Sequence, residues 1–314
     1  RGGEKNVRGV NSSAPVRVER CRFEKIKEGV ALKGAPLSDI LACEFDGCGI
    51  AVRAIGGASP TVWGCVFKGG DTGIFGMNGS LYARNNLFDG PKIGVRILPD
   101  STQPGVFRNN IFLDCKTAAI EIMPGERVLF GPSIRNSIVL RCGAALVSDA
   151  ELAKNTSHAI VHDVTAPAFR DKAGKETRGL GEASLSDAAL AVSVDKDFNV
   201  TADHPELLKD RGVRLCSEKE DAKGTLGLEG PWARVGVGAS AELPPSRFAG
   251  PRLIANCVHE EYQYLKLLDR GMSSQGMSQD HGVPVDRLTL SGSREPKELV
   301  FDISRFFGEE SIGE

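Results

Sequence analysis

The apolar and polar positions between residues 16 and 146 follow a phrase that returns every 21 to 26 residues. Each copy begins with Cys or Asn and places a large apolar residue two positions later. Segments of this size with Gly, Asp, Asn or Pro between them are typical of short strands, and none is long or periodic enough for a helix. The six copies are marked by Cys21 and Phe23, Cys43 and Phe45, Cys65 and Phe67, Asn86 and Phe88, Asn110 and Phe112, and Asn136 and Ile138.

A repeat of this length predicts a solenoid, because one short parallel strand cannot bury its face alone. Stacking equivalent strands about 4.8 Å apart solves the problem, since each side chain then rests on its counterpart one turn away. We expect an internal Phe column beside a turn column in which Asn amides bond to those above and below, with Cys as a smaller apolar substitute. A small residue followed by an aliphatic one should mark a further strand in Gly29-Val30, Gly49-Ile50, Gly73-Ile74, Gly94-Val95, Ala119-Ile120 and Ala145-Leu146.

The segments GVALKG, SPTVWGCVFKGGDTGI, LYARNNLFDGPKIGVRI and VFRNNIFLDCKTAAIEI resemble the right-handed parallel β-helix repeat proteins of the pectin-lyase-like superfamily. The resemblance covers residues 16–146 well and continues more weakly to about residue 238. It implies an all-β, right-handed parallel β-helix solenoid. It says little about activity, because this fold is used by lyases, hydrolases, epimerases and non-catalytic modules alike.

The remaining chain divides by composition. We predict a β-helix over residues 1–238, with regular turns at about 16–146, irregular coils at 147–238 and a closing segment at 198–238. Two pieces of the irregular part, 159–161 and 191–194, have aliphatics suited to further turns. A Pro-rich connector should follow at 239–256, and a small α-containing tail at 257–314.

The tail carries mixed signals. CVHEEYQYLKLLDRG has apolar residues at helical spacing, acidic residues early, basic residues late and a terminal Gly, so it predicts a helix. Residues 272–282 look flexible, and 285–290 could form a strand. Residues 298–307 favour a helix, although alternation of apolar positions keeps a strand possible. We expect the tail to cover the solenoid end or to dock on another chain, because an uncovered terminal turn exposes strand edges.

The charge and hydropathy of the chain argue against nucleic acid and membrane as partners. The formal net charge is −2, so no long-range field attracts nucleic acid, and no run of about 18 apolar residues predicts a membrane span. The chain starts at Arg1, so a mature product or an excised fragment is expected.

The eight cysteines form no C-x-x-C pair, which argues against zinc and favours free, structural thiols. Free thiols fit a reducing compartment, whereas the resemblance implies the cell envelope or secretion; the compartment stays open.

Basic and aromatic side chains are the first candidates for a binding site. Stacked turns could line five arginines into a ladder that holds a carboxylate or sulfate sugar, and two aromatic residues could add a stacking platform. The structural alternative is that the arginines pair with acids and the aromatic rings cover the solenoid edge. The candidates are Arg53, Arg84, Arg96, Arg108, Arg135, Trp63 and Tyr82.

Acidic side chains could serve a lyase, since the resemblance implies a Ca²⁺ cluster beside an Arg or Lys base. The alternative is that they cap turns. The candidates are Asp39, Asp46, Asp71, Asp89, Asp100, Asp114 and Glu121. For a glycoside hydrolase, the resemblance implies a pair of neighbouring aspartates, and the candidates near a His are His162-Asp163, His204 and Asp280-His281.

Our leading interpretation is a non-catalytic module that binds carbohydrate or protein, or that has a structural role. The alternative is a polysaccharide-active enzyme, a lyase more than a hydrolase, that acts on an acidic glycan. Ca²⁺ is expected only under that alternative; no other cofactor and no metal site is predicted.

Overall fold

The structure is a computed structural model, and its described part begins at Val7. It comprises residues 7–98, 105–123, 133–135, 137–148, 156–157, 160–165, 167–177, 185–186, 192–194, 200–202, 247, 252–304 and 307. No helix within these ranges is long and apolar enough to cross a membrane.

Most of the described chain winds through three parallel sheets, which we name A, B and C in the order in which each turn visits them. Sheet A contains β1 (Arg8–Ser12), β4 (Glu28–Lys33), β7 (Ile50–Ile55), β10 (Thr72–Met77), β13 (Ile93–Leu98), β16 (Ala118–Ile122), β19 (Leu146–Val147) and β22 (Phe169–Arg170). Sheet B contains β2 (Arg17–Glu19), β5 (Asp39–Leu41), β8 (Thr61–Trp63), β11 (Tyr82–Arg84), β14 (Val106–Arg108), β17 (Ser133–Arg135) and β20 (Thr156–Ser157). Sheet C contains β3 (Arg22–Glu24), β6 (Glu44–Asp46), β9 (Val66–Lys68), β12 (Leu87–Asp89), β15 (Ile111–Leu113), β18 (Ile138–Leu140), β21 (Ile160–His162) and β23 (Leu185–Ser186).

The predicted Phe column fills the interior. Five rings stack face to face with centroids 4.5–5.1 Å apart and planes within 9° of parallel. The spacing matches that of neighbouring strands, so each ring inherits its position from the ladder. The column consists of Phe23, Phe45, Phe67, Phe88 and Phe112.

The small residues at the start of the sheet A strands make room for these rings. A Cβ at Gly29 would lie 2.7 Å from Cδ1 of Phe45, closer than such carbon atoms approach. The prediction of Gly49-Ile50 for the third turn is wrong by two residues. The ladder pairs Val52 with Val30, so Ala51 occupies the position of Gly29.

The turn column between sheets B and C is hydrogen-bonded along its whole length. Asn86 accepts from the backbone N–H of Cys65 (2.9 Å) and donates to the carbonyl of Val62 (2.9 Å). The thiol of Cys65 makes the same two contacts one turn earlier, with the N–H of Cys43 (3.5 Å) and the carbonyl of Ile40 (3.4 Å). The interpretation of Cys as a merely apolar substitute is therefore wrong, because its thiol is a weaker version of the amide.

The sixth copy of the phrase is displaced by one residue. The backbone N–H of Asn110 donates to Ser137 Oγ at 3.3 Å, and the ladder pairs Phe112 with Val139. Ser137 and Val139 therefore replace the predicted Asn136 and Ile138; Asn136 itself lies outside the described residues. The residue before each of the first five anchors has a left-handed backbone, with φ of 53° at Asn85, a conformation that Asn tolerates better than most residues.

The later turns are partly as expected. The predicted piece 159–161 contributes to β21, which pairs in parallel with β18. The piece 191–194 is not a further turn, because β24 (Val192–Val194) pairs antiparallel with β25 (Val200–Ala202). The end of the β-helix at residue 238 and the closing segment beyond residue 202 lie outside the described residues.

The tail combines the predicted helix with a four-stranded sheet. Helix α1 (Val258–Leu267) confirms the prediction from its apolar spacing. The sheet order is β26 (Leu253–Ile254), β29 (Glu298–Asp302), β28 (Val283–Leu290) and β27 (Met272–Asp280). The strand expected at 285–290 lies within β28.

Two tail predictions are wrong. Residues 298–302 form a strand, because β29 is hydrogen-bonded on both sides. Its alternating residues Leu299 and Phe301, and Ile303 directly after it, all enter the tail core. Residues 272–280 form a strand despite their exposed, polar side chains, because β28 supplies a full ladder of backbone partners.

The tail packs on the flank of the coil, at the turns between sheets A and B. Leu37 inserts from one such turn into the tail core, beside Leu265 and Phe301. Asn256 bonds the next turn through the carbonyl of Ser59 at 2.9 Å. Docking on a solenoid end or on another chain stays a prediction.

Candidate functional site

The predicted arginines fall into two separate rows on two faces of the coil. Arg84, Arg108 and Arg135 are consecutive partners in the backbone ladder of sheet B, and Arg84 and Arg108 lie on its outer side. Arg53 and Arg96 lie on the outer side of sheet A, where they are each paired with Phe75. The sequence thus predicted one basic ladder, and the structure contains a row of three and a separate pair.

The row on sheet B is largely closed to ligands. Arg84 is only 1% exposed, and its guanidinium carbon lies 4.6 Å from the centre of the Trp63 ring. Trp63 and Tyr82 belong to an apolar cluster with Leu41 and Val106 on the same outer face, and all four are buried. The two aromatic residues therefore pack within the protein and present no free platform.

Sheet C is covered in the same way over its central turns. Its strands have apolar residues on both faces, and the outward ones are nearly inaccessible. The buried outward residues are Val66, Leu87, Ile111 and Ile138.

Sheet A is different, because its outward row is partly exposed. Arg53, Phe75 and Arg96 follow one another on neighbouring strands, so the ring sits between two guanidinium-bearing positions roughly 10 Å apart. The side chains of Arg53 and Arg96 retain 29% and 34% of their exposure, and Phe75 is half-buried. We name these three residues the sheet A triplet.

Acidic neighbours hold the two arginines in place. Arg96 donates through Nε to Glu121 Oε2 at 2.7 Å, and Arg53 Nε lies 3.8 Å from Glu28 Oε1. Each guanidinium has further donors beyond these contacts, since Arg carries five N–H groups. The row can therefore hold an anionic group while its arginines remain oriented by their own partners.

An apolar row runs parallel to the triplet, one pleat further along the strands. Ile55, Met77 and Leu98 are consecutive partners and all half-buried. The outer face of sheet A thus offers an aromatic ring, two cations and a neighbouring apolar strip. This combination suits a ring-shaped ligand that carries a negative charge.

The acidic candidates do not converge among the described residues. Lys68 separates Asp46 from Asp89 in the sheet C ladder, and Asp114 forms a two-bond pair with Arg141 at 2.8 and 2.7 Å. Burial and the nearby Asp114 raise the pKa of Asp89. No group of three or more His, Cys, Asp or Glu side chains in the described ranges is arranged to hold a metal ion.

The other acidic and His candidates are dispersed. Asp39 is bonded to Arg247, Asp71 is exposed and Glu121 is bonded to Arg96. Asp280 and His281 lie at the exposed turn of a hairpin, where Arg252 pairs with Asp280 at 3.0 Å. Asp163 has a left-handed backbone after β21, as expected for a turn residue. Asp100 and His204 lie outside the described residues.

Comparison with known families agrees with the strand ladders. A family model described as a right handed beta helix region matches residues 6–161, about half of the chain. The chain is a right-handed parallel β-helix repeat protein. Searches of curated proteins and of solved structures found no significant match. The β-helix assignment therefore establishes the fold and leaves the ligand to the chemistry of its faces.

Phe75 is the residue of the β-helix surface that sequence reasoning missed. The signal was present, because Phe75 follows the pair Gly73-Ile74 as Arg96 follows Gly94-Val95. The pattern assigns Phe to the core, because the five stacked Phe rings of the repeat lie inside, whereas Phe75 lies on the outer face of sheet A.

A second polar cluster lies in the tail and brings two buried acidic side chains together. Glu261 on α1 is buried beside Asp286 on β28, and Asp286 also accepts from Nε2 of Gln275. Desolvation, followed by the charge and hydrogen bond of Asp286 and the charge of Glu260, raises the pKa of Glu261 to about 9. Burial beside Asp286 therefore favours the protonated form of the Glu261 carboxyl at neutral pH.

This pair should make tail stability depend on pH. The folded-state pKa of about 9 lies above the unfolded value of 4.5, so the free energy of unfolding should fall as pH rises between these values and level off above them. Glu261→Gln, whose amide can also donate to Asp286, should remove most of this decline, worth a few kcal/mol. Urea unfolding at about pH 5, 7 and 9, a range that spans the titration, would measure this pH dependence of the free energy of unfolding. Hydrogen exchange in the tail would show that the change belongs to the tail. Glu298→Gln, at an exposed carboxylate, should keep the wild-type decline; an identical decline in Glu261→Gln would contradict the assignment.

Proposed function

We propose that this β-helix is a non-catalytic binding module that takes an acidic carbohydrate on the outer face of sheet A. The observation that carries the proposal is the triplet Arg53, Phe75 and Arg96, an aromatic ring between two cations on a partly exposed face. A sugar ring can stack on Phe75 while its carboxylate or sulfate bonds a guanidinium.

The parallel ladder supports this proposal because it preorganises the triplet. The three residues sit on strands that are hydrogen-bonded to one another, and Glu121 and Glu28 restrain the two arginines. Binding then costs little ordering entropy in the protein. The adjacent strip of Ile55, Met77 and Leu98 could contact a neighbouring sugar along the chain of an oligosaccharide.

The proposal predicts selective binding of acidic oligosaccharides. A glycan array followed by titration calorimetry would compare oligogalacturonate with a neutral cello-oligosaccharide of equal length, and we expect only the acidic probe to bind. Phe75→Ala should weaken binding roughly tenfold, because it removes one stacking contact. Arg53→Gln combined with Arg96→Gln should abolish the preference for acidic sugars and the salt dependence of binding.

The matched control is Arg22→Gln, which removes an exposed arginine from sheet C. It should leave affinity unchanged. Equal weakening by Arg22→Gln and Arg96→Gln would show that net charge, and not the triplet, governs binding, and absence of binding to any acidic glycan would reject the proposal. The same samples should be assayed for unsaturated uronide products, whose appearance would replace the binding module with the lyase alternative.

A further inference from the structure

Strand β27 leaves one edge of the tail sheet open. It has nine residues, pairs with β28 alone among the described strands, and its side chains are exposed along almost the whole length. Residues 272–279 (MSSQGMSQ) contain no charge and no proline, the two devices that most often protect an edge strand. The single irregularity in its register falls at the start, between Met272 and Ser274, which leaves residues 274–280 as a regular template.

Gly276 lies in the middle of this strand, although neither its backbone conformation nor a close contact with the described residues requires glycine there. Its backbone is not among those with positive φ, and a Cβ added there would meet no atom within 4 Å. Glycine in a strand interior weakens the strand, and it is common where another backbone approaches closely. No strand in the described part of the tail supplies such a backbone.

Met277 is the most exposed large apolar side chain of the described residues, at 71%. It points to the same face of the sheet as Gln275, because side chains alternate along a strand. That face carries helix α1, whose Tyr262 donates a hydrogen bond to Gln275 Oε1 at 2.6 Å. Met277 therefore lies at the rim of the tail core, next to the open edge and without an intramolecular cover.

These three observations have one common explanation. We propose that two copies of this chain pair antiparallel through β27, with the two-fold axis at Gly276, to form a continuous sheet across both tails. Gly276 then faces Gly276 of the second copy, and the small residue permits close approach at the axis. Ser274 faces Ser278 of the second copy, and Gln275 faces Met277.

The strand is complementary to itself in this register. The only charged residue, Asp280, lies opposite Met272 of the second copy, so no like charges meet. The two Met277 side chains become diagonal neighbours on one face, within reach of each other and of Gln275. Pairing thus covers the most exposed apolar group and the open backbone edge together, over about 30 Å of strand.

The test is the oligomeric state of the full chain, measured by sedimentation equilibrium up to roughly 100 µM, a range that covers weak dimers. We expect the wild-type chain to dimerise. The variant S274K/S278K places Lys opposite Lys twice across the axis and should weaken the dimer at least about tenfold. The variant S274K/S278E places Lys opposite Glu at the same positions and should restore dimerisation.

The matched control is T289K, which adds a charge beside Ser274 in the same sheet but on the strand away from the edge. It should dimerise as the wild type does, and circular dichroism should show that all variants fold alike. A wild-type chain that stays monomeric overturns self-pairing and leaves the edge to an extended segment of a different protein. A dimer that is indifferent to S274K/S278K, or that S274K/S278E fails to restore, overturns this interface.

Discussion

Replacing Arg247 with methionine should detach the tail from the flank of the coil. Arg247 is fully buried and donates to Asp39 Oδ1 at 2.9 Å and to both carboxylate oxygens of Glu260 at 2.8 and 3.0 Å. It also donates to the carbonyl of Ser38 at 2.8 Å. Without the guanidinium, two buried carboxylates lose their common cation, at a cost of about 3–5 kcal/mol.

Hydrogen exchange in α1 and the tail strands would measure the effect directly. Protection should fall in Arg247→Met, because the tail would open without unfolding the coil. The control is Arg287→Met, which breaks the partly exposed pair with Glu298 and should cost less than about 1 kcal/mol. Adding Glu260→Gln to Arg247→Met should recover part of the loss, since one uncompensated charge disappears. Equal protection in the two arginine variants would show that Leu37 and the apolar tail core hold the tail without the ion network.

The stacked part of the fold was predictable because each turn repeats the same physical demand. Phe23 and Phe45 occupy equivalent positions on neighbouring strands, so the number of residues between them gives the length of one turn. The register of the sixth turn was less predictable. Asn136 and Ser137 are both plausible turn residues, and only the bond between Ser137 and Asn110 decides which one continues the column.

The tail shows where local pattern fails. Residues 298–302 fit both a helical stripe and a strand alternation, and the strand prevails because β26 and β28 supply hydrogen-bond partners on both sides. Nothing local marks Arg247 as the centre of a buried network, because its partner Asp39 is 208 positions away in the chain. Such contacts follow from the path of the whole chain.

The candidate site depends on the same distinction. Arg84 and Arg96 look alike in the sequence, since each lies on an outward position of a short strand. Arg84 is buried over Trp63, whereas Arg96 remains partly exposed beside Phe75. Whether an outward position is accessible depends on which face the rest of the chain covers, and a repeat pattern contains no information about that cover. The repeat pattern thus predicted which arginines point outward, and the tertiary structure shows that Arg53 and Arg96 are partly exposed beside Phe75.

Replacing Asn86 with alanine should destabilise the coil where the turn column changes from thiols to amides. Asn86 accepts from the N–H of Cys65, donates to the carbonyl of Val62 and donates to Asn110 Oδ1 at 3.0 Å. All of these groups are buried, so alanine deprives the N–H of Cys65 of this acceptor, removes one hydrogen bond each from the carbonyl of Val62 and from Asn110 Oδ1, and also opens a small cavity. Asn110 Oδ1 still accepts from the backbone N–H of residue 86 at 3.1 Å. We expect a loss of about 2–4 kcal/mol in the free energy of unfolding.

Asn86→Cys should lose clearly less than Asn86→Ala, because the column already shows what a thiol does there. Burial raises the pKa of the Cys65 thiol well above its usual value, so the group stays protonated and donates to the carbonyl of Ile40 while it accepts from the N–H of Cys43. Urea unfolding of the two variants would be compared with Asn11→Ala, an exposed asparagine of β1 whose loss should cost within about 0.5 kcal/mol. If Asn86→Cys were as unstable as Asn86→Ala, the thiol would not be an equivalent of the amide, and the change from Cys to Asn along the column would reflect packing volume instead of hydrogen bonding.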